Sequence, residues 1–245
     1  MQIYKKTDIG LRRTSNQDFC DGGLFADGTG WLIVCDGMGG ANGGNIASAL
    51  AAEEIGNAIT DLYEPSMDGA AIRRLLLSAV EGANLSIYDM AQADPKLYGM
   101  GTTVVTAILK EDTAHIVHVG DSRAYLITPE AAKQVTVDHS MVQELVDTGN
   151  LTPEEAKNHP QKNIITRALG VRPSVNAEYD EVPYRAGDIL LACTDGMSAY
   201  ADEADLYALA QQAQGEQLAE DLVNTAIEGG GSDNITVVLA DNRTV

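Results

Sequence analysis

Four short apolar runs in this chain each stop at, or start from, an aspartate, and that pattern constrains the fold more than any other feature. Asp36 follows Trp31 to Cys35, and Asp195 follows Ile189 to Cys193 after one threonine. Asp121 separates His115–Val119 from Arg123–Ile127, and Asp233 stands just before Ile235–Leu239. Short aliphatic runs bounded by Gly, Asp and Asn read as buried strands. A strand that rises from a core and ends in Asp-Gly or Asp-Asn delivers a carboxylate to the rim of a sheet. Carboxylates crowded on one rim repel unless a cation neutralises them. An all-oxygen pocket of this kind suits a hard divalent ion such as Mg²⁺ or Mn²⁺.

Charge and cysteine usage narrow the class. The 36 acidic residues outweigh 16 basic ones for a net charge of -20, which argues against binding nucleic acid or an anionic membrane, since both need a basic footprint. Cys20, Cys35 and Cys193 are far apart, and neither a CxxC pair nor a His/Cys cluster marks a zinc site. Cys35 and Cys193 fall inside apolar runs, where free cysteine acts as a small core residue. The opening MQIYKKTDIG lacks the apolar stretch of a signal peptide, and no run is long enough to span a bilayer. A soluble, cytoplasmic, monomeric protein is expected, with all 245 residues in a single domain.

The order of elements predicts an α+β fold. The first segment alternates strand-like runs with turns at Asp21-Gly-Gly and Asp27-Gly-Thr-Gly. A helix follows from about Asn45 to Leu62, with Ile46, Leu50, Ile55 and Ile59 on one face. A second runs from about Gly69 to Ala93, striped by Ile72, Leu75, Leu76, Val80, Ala83 and Ile87, and Pro95 and Gly99 end it. Residues 102–137 read as an antiparallel meander of strands, TTVVTAILK, AHIVHV and RAYLI, with a short one near QVTV. Residues 139–170 differ in character: a short helix, a turn at Gly149-Asn150, and a second helix opened by Thr152, Pro153 and Glu155 as a capping box. Strands return at 188–194 and 235–240, around helices near 202–213 and 215–228. Helix pairs inserted among antiparallel strands imply packed sheets with helices outside.

Two further features bear on chemistry. The glycines of DGMGGANGG let backbone approach an ion or a phosphate closely, yet the stretch is neither a Walker loop nor a dinucleotide fingerprint. Arg13, in LRRTSNQD, offers a planar fork that matches two phosphate oxygens.

The ordered set R13-x-x-N-Q-D18, D36-G-M-G-G, G101-T-T, G120-D-S-R, D138-H-S, T194-D-G and S232-D-N-I-T resembles the metal-dependent protein Ser/Thr phosphatases of type 2C in their compact bacterial form, from about Thr7 to Leu239. The resemblance implies a central β-sandwich of two antiparallel sheets flanked by pairs of antiparallel helices, with metals at one end between the sheets. It implies hydrolysis of phosphoserine and phosphothreonine by a metal-bridged water, with two core Mn²⁺ or Mg²⁺ ions and a third, weaker ion. By the same match Asp36 bridges both core ions, Gly37 offers its carbonyl, and Asp195 and Asp233 complete the pair. Asp121 corresponds to the ligand of the third ion, Asp18 to an acid that orients metal water, and Arg13 to the phosphate-binding arginine. Residues 139–170 match a variable flap beside the site. The implied partners are phosphorylated proteins, among them substrates of a bacterial Ser/Thr kinase and the kinase itself.

The chain departs from the family at the proton donor. Met38 and Ala41 stand where many relatives carry histidines, and Gln17 replaces a common glutamate. A water on the third ion is the leading candidate for the acid, with His118 and His139 behind it. Two rival readings stay open at this level: a non-catalytic phosphoprotein-binding module, against which the intact Asp36, Asp195 and Asp233 speak, and a phosphatase dedicated to one small regulatory partner.

Overall fold

A computed structural model describes residues 1–243, with residues 40–42 described in their backbone alone. One sheet holds β1 (Gln2–Asp8), β11 (Ile235–Asp241), β10 (Ile189–Cys193), β7 (Arg123–Ile127) and β8 (Ala132–Gln134), in that order. The other runs β2 (Asp18–Leu24), β3 (Gly30–Met38), β5 (Val104–Lys110), β6 (Thr113–Val119) and β9 (Glu178–Pro183), and the short β4 (Gly101–Thr102) pairs with the end of β3. Every pairing is antiparallel.

Three apolar layers hold the sheets and helices together. Leu32, Val34, Val105, Leu190, Ala192 and Val238 fill the space between the two sheets. Burying each of the larger of these side chains contributes about 1.5–3 kcal/mol. The predicted stripes of α1 (Gly40–Leu62) and α2 (Gly69–Ala93) cover the outer face of the second sheet, though Ile46 and Leu50 are only partly buried. The helices α6 (Glu203–Gln212) and α7 (Gly215–Glu228) cover the first sheet. The result is the expected α+β sandwich with a helix pair on each side.

Local signals worked where they were strong. The helix α2 starts and stops as predicted, opened by Asp68, whose side chain accepts the Ala71 N–H. In the 139–170 segment, α3 (Met141–Asp147) and α4 (Pro153–Lys157) form, and the Thr152/Glu155 capping box is complete.

Four expectations are corrected. The helix α1 begins at Gly40, so part of the glycine-rich stretch forms its first turn instead of a loop. Asp21-Gly22-Gly23 is the middle of β2 and not a turn; a Cβ at Gly22 would meet the Trp31 carbonyl at 2.8 Å, so these glycines permit close strand packing. The strand β9 was not foreseen, because EYDEVP is an acidic, half-buried edge strand without an apolar run. Finally, the meander breaks at Gly120: β6 belongs to one sheet and β7 to the other. The chain changes sheets at that turn, with Gly120 at φ +106 backing onto Thr103.

Candidate metal centre

Both sheets deliver carboxylates to one end of the sandwich. Asp18 and Asp36 face each other across the β2–β3 pair, so their side chains emerge on the same face. Asp121 sits on the turn between the sheets, Asp195 begins the short helix α5 (Asp195–Ser198) after β10, and Asp233 leads into β11. Burial, followed by the charges of Asp18, Asp195, Asp121 and Asp233, raises the Asp36 carboxyl well above the usual range. Burial likewise pushes Asp18 and Asp121 up to about 7, with Asp195 adding to both. Asp195 is raised by burial and then by Asp233.

Backbone and hydroxyl contacts hold these carboxylates in place. Thr103 grips Asp36 from both sides, accepting its N–H at 3.0 Å and donating its own N–H to the Asp36 carbonyl at 2.8 Å. The Thr103 hydroxyl also meets Ser122 at 2.7 Å, which ties Asp36 to the turn carrying Asp121. The Thr194 hydroxyl donates to Asp18 Oδ2 at 2.9 Å. Asn234 gathers the N-terminal loop: its amide donates to the carbonyls of Ile9 and Ser15, both at 3.0 Å, and its oxygen accepts the Gln17 N–H. Thr103, Thr194 and Asn234 lie inside the recognised motifs, but small polar residues next to Asp-Gly read as turn formers, and their long-range roles carry no local signal.

Arg13 reaches the rim from that loop. Its Nη2 donates to Asp233 Oδ2 at 2.5 Å, and its side chain is nearly half exposed. Arg123 is held farther in, with Nε and Nη2 forming two parallel bonds to Asp138 at 2.8 and 2.7 Å. Its charge counteracts the rise at Asp121 and Asp195.

The residues present fit divalent cations. Oδ1 of Asp18 and Oδ1 of Asp195 are buried with no hydrogen-bond partner among the described residues, a costly state for an oxygen that nothing else satisfies. The donor set is all oxygen. Gly37 keeps the backbone open at this point, since a Cβ there would lie 2.0 Å from the Gly44 carbonyl oxygen and 2.6 Å from that of Gln17. Gly37→Ala is therefore expected to lose both divalent-ion binding and about 2–4 kcal/mol of stability, as strained insertions do; a variant that titrates with Mn²⁺ and melts like the parent would refute this.

Neither candidate histidine is arranged as a proton donor. His118 donates from Nε2 to the Val137 carbonyl at 2.9 Å. Burial, then the neighbouring charges of His118 and Arg167, lowers His139 to about 4, so it is neutral near pH 7. Ala41 lies among the residues whose side chains fall outside the described structure.

The protein phosphatase 2C family profile matches residues 11–230. The chain belongs to the protein phosphatase 2C family. As a member it is a metal-dependent serine/threonine protein phosphatase. It is 37% identical to the serine/threonine phosphatase stp of Listeria innocua over 246 residues, which is 99% of this chain and 96% of that protein. The Streptococcus agalactiae serine/threonine phosphatase superimposes with a TM-score of 0.89 at 38% identity, covering 97% of this chain and 98% of the other. The catalytic domain of the phosphatase PstP, solved with two manganese ions, superimposes at 0.83 with 34% identity, over 98% and 97% of the two chains. No helix among the described residues is long and apolar enough to cross a membrane.

Proposed function

We propose that Asp36, Asp195, Asp233 and the Gly37 carbonyl hold two core Mn²⁺ or Mg²⁺ ions, and that Asp121 holds a weaker third. The observation that carries this reading is the set of wholly or partly buried, mutually repelling carboxylates, two with an unpartnered oxygen among the described residues, at the end where both sheets meet. Divalent ions bound there would supply Lewis acidity to the phosphoryl oxygens and lower the pKa of a bound water toward neutrality. The chain's own residues do the rest. Asp18, fixed at Oδ2 by Thr194, turns its free Oδ1 toward the rim as an acceptor that orients water. Arg13 exchanges Asp233 for the phosphate of the substrate, because its fork matches two phosphoryl oxygens and it is accessible.

The substrates are phosphoserine and phosphothreonine in proteins, including targets of a bacterial Ser/Thr kinase and the kinase itself. The reaction is direct hydrolysis, since all three cysteines are free and burial raises each thiol above its ordinary value, leaving no activated nucleophile of that type. Free thiols agree with a reducing cytoplasm. The whole chain acts as one catalytic domain, with 139–170 as its flap, and a monomer suffices because every invoked residue lies on one chain.

The test is cleavage of a phosphothreonine peptide with Mn²⁺ and with chelator. Activity that persists in chelator would exclude the reading. Arg13→Ala should raise KM about 10–100-fold, in line with a loss of about 1.5–3 kcal/mol for a charge-assisted hydrogen bond, while Mn²⁺ titration by calorimetry stays close to that of the parent. An unchanged KM would remove Arg13 from phosphate binding.

A further inference from the structure

A second polar cluster lies at the root of the 139–170 segment, and the phosphate chemistry does not use it. The His118 and His139 rings stack with centroids 4.6 Å apart and planes 20° apart. With Glu178, their ligand atoms lie within 4.8 Å of one another, a composition that suits a transition ion. Two contacts exclude that use. Arg167 Nη1 lies 2.6 Å from Glu178 Oε1 and 3.1 Å from His139 Nε2, so a cation already sits there. The Gly120 N–H donates to His139 Nδ1 at 3.1 Å, so the neutral ring carries its proton on Nε2, 3.2 Å from Glu178 Oε1. An imidazole that accepts at Nδ1 has no lone pair left at Nε2 for a metal.

The same contacts define another role. His139 holds Gly120 at both of its backbone polar groups: the His139 N–H donates to the Gly120 carbonyl at 2.9 Å, and Nδ1 accepts the Gly120 N–H. Gly120 is the residue at which the chain leaves β6 for the other sheet, and the next residue is Asp121. The Asp121 side chain leaves the backbone directly after the residue that His139 holds. Its direction therefore follows that of the Gly120–Asp121 peptide. On its other side His139 is anchored to the end of the segment, where its carbonyl accepts the Thr166 N–H at 2.8 Å and Nε2–H faces Glu178 Oε1 at 3.2 Å, an oxygen that also accepts from Arg167. Burial keeps the ring neutral, and the Gly120 N–H on Nδ1 selects this tautomer.

We propose that His139 is a positioning residue of the phosphatase, acting through Gly120 to aim Asp121 at its divalent ion. The proposal rests on the reading of Asp121 as ligand of the weaker ion. Residues that orient metal ligands typically change metal affinity by about 10–100-fold when lost. Asparagine at 139 places an acceptor near the position of Nδ1, whereas glutamine places its amide near that of Nε2 and leaves the Gly120 N–H without a partner.

Calorimetric titration with Mn²⁺ of the wild type, Asp121→Ala, His139→Asn and His139→Gln tests this. The wild type should show tight steps and one weaker step, and Asp121→Ala should lose the weaker one. His139→Gln should weaken that step by about 10–100-fold with the tight steps intact, and His139→Asn should restore it. If Asp121→Ala keeps the weaker step, the reading of Asp121 fails. If Asp121→Ala loses it but His139→Gln binds as the wild type does, the His139 proposal fails. Equal losses in His139→Asn and His139→Gln, or loss of the tight steps in either, would mark a merely structural histidine and also overturn it. Retained tight steps serve as the check that each variant is folded.

Discussion

Asp36→Ala protein is expected to be inactive on a phosphothreonine peptide yet more resistant to unfolding than the parent when both are metal-free. Asp36 sits at the centre of the rim, opposite Asp18 and within the field of Asp195, Asp121 and Asp233. If Asp36 holds the core ions as proposed, its loss would remove one of their ligands, and with it several kcal/mol of charge stabilisation in the transition state. That corresponds to a fall in kcat/KM of roughly a thousandfold or more. The same carboxylate is buried among like charges when no ion is present, and its removal relieves that repulsion. Activity and metal-free stability should thus move in opposite directions. Phosphopeptide turnover with Mn²⁺ and thermal melts in chelator measure the two halves. Near-parental turnover would displace Asp36 from the metal site, and a lower melting temperature in chelator would show that the crowding at the rim is not costly.

The second large effect is the pH dependence of the metal-free protein. An unfolded aspartate titrates near 3.9. In the folded, metal-free protein Asp18 and Asp121 are raised to about 7, mainly by burial, and Asp36 and Asp195 are raised for the same reason. Between about pH 4 and 7 the folded state keeps protons that the unfolded state has released, so stability falls as pH rises through this window. Burial lowers His139 and His115, which act in the opposite sense below about pH 6.5, but they are two groups against four. A tenfold change in the acidity of one group corresponds to about 1.4 kcal/mol, so in chelator the melting temperature at pH 7.5 should lie roughly 5–15 °C below that at pH 5. Saturating Mn²⁺ should abolish or reverse the trend, because the ions bind the ionised carboxylates. A melting temperature in chelator that rises from pH 5 to 7.5 would contradict the burial of these groups.

These effects concentrate where local sequence and long-range structure meet, and the two are legible to different degrees. The stripes of α1 and α2, the capping box at Thr152 and the apolar runs leading to Asp36 and Asp195 are visible because each depends on residues a few positions apart, although β3 runs on past Asp36 to Met38. The break at Gly120 is not visible. Two apolar runs joined by a short turn look like a hairpin whether they pair with each other or with different partners. Which pairing occurs depends on β10, which takes β7 on one side and β11 on the other. The strand β9 escapes notice for a related reason: it owes its place to β6 and not to its own acidic sequence.

The site divides in the same way. The identity of the aspartates and the arginine at 13 follow from residue chemistry and from motifs that lie close together along the chain, whereas the requirement for glycine at 37 comes from the carbonyls of Gln17 and Gly44 that close around it. The pairing of Arg13 with Asp233, the hydroxyl of Thr194 on Asp18 and the hold of His139 on Gly120 join residues 220, 176 and 19 positions apart. No pattern along the chain marks such bonds, because a donor and an acceptor distant in sequence meet only when the sheets stack and the loops close over their ends. The letters therefore set which groups can bind a divalent ion. The packing of the two sheets sets which of them face it, how far burial raises each carboxyl, and what holds each one in position.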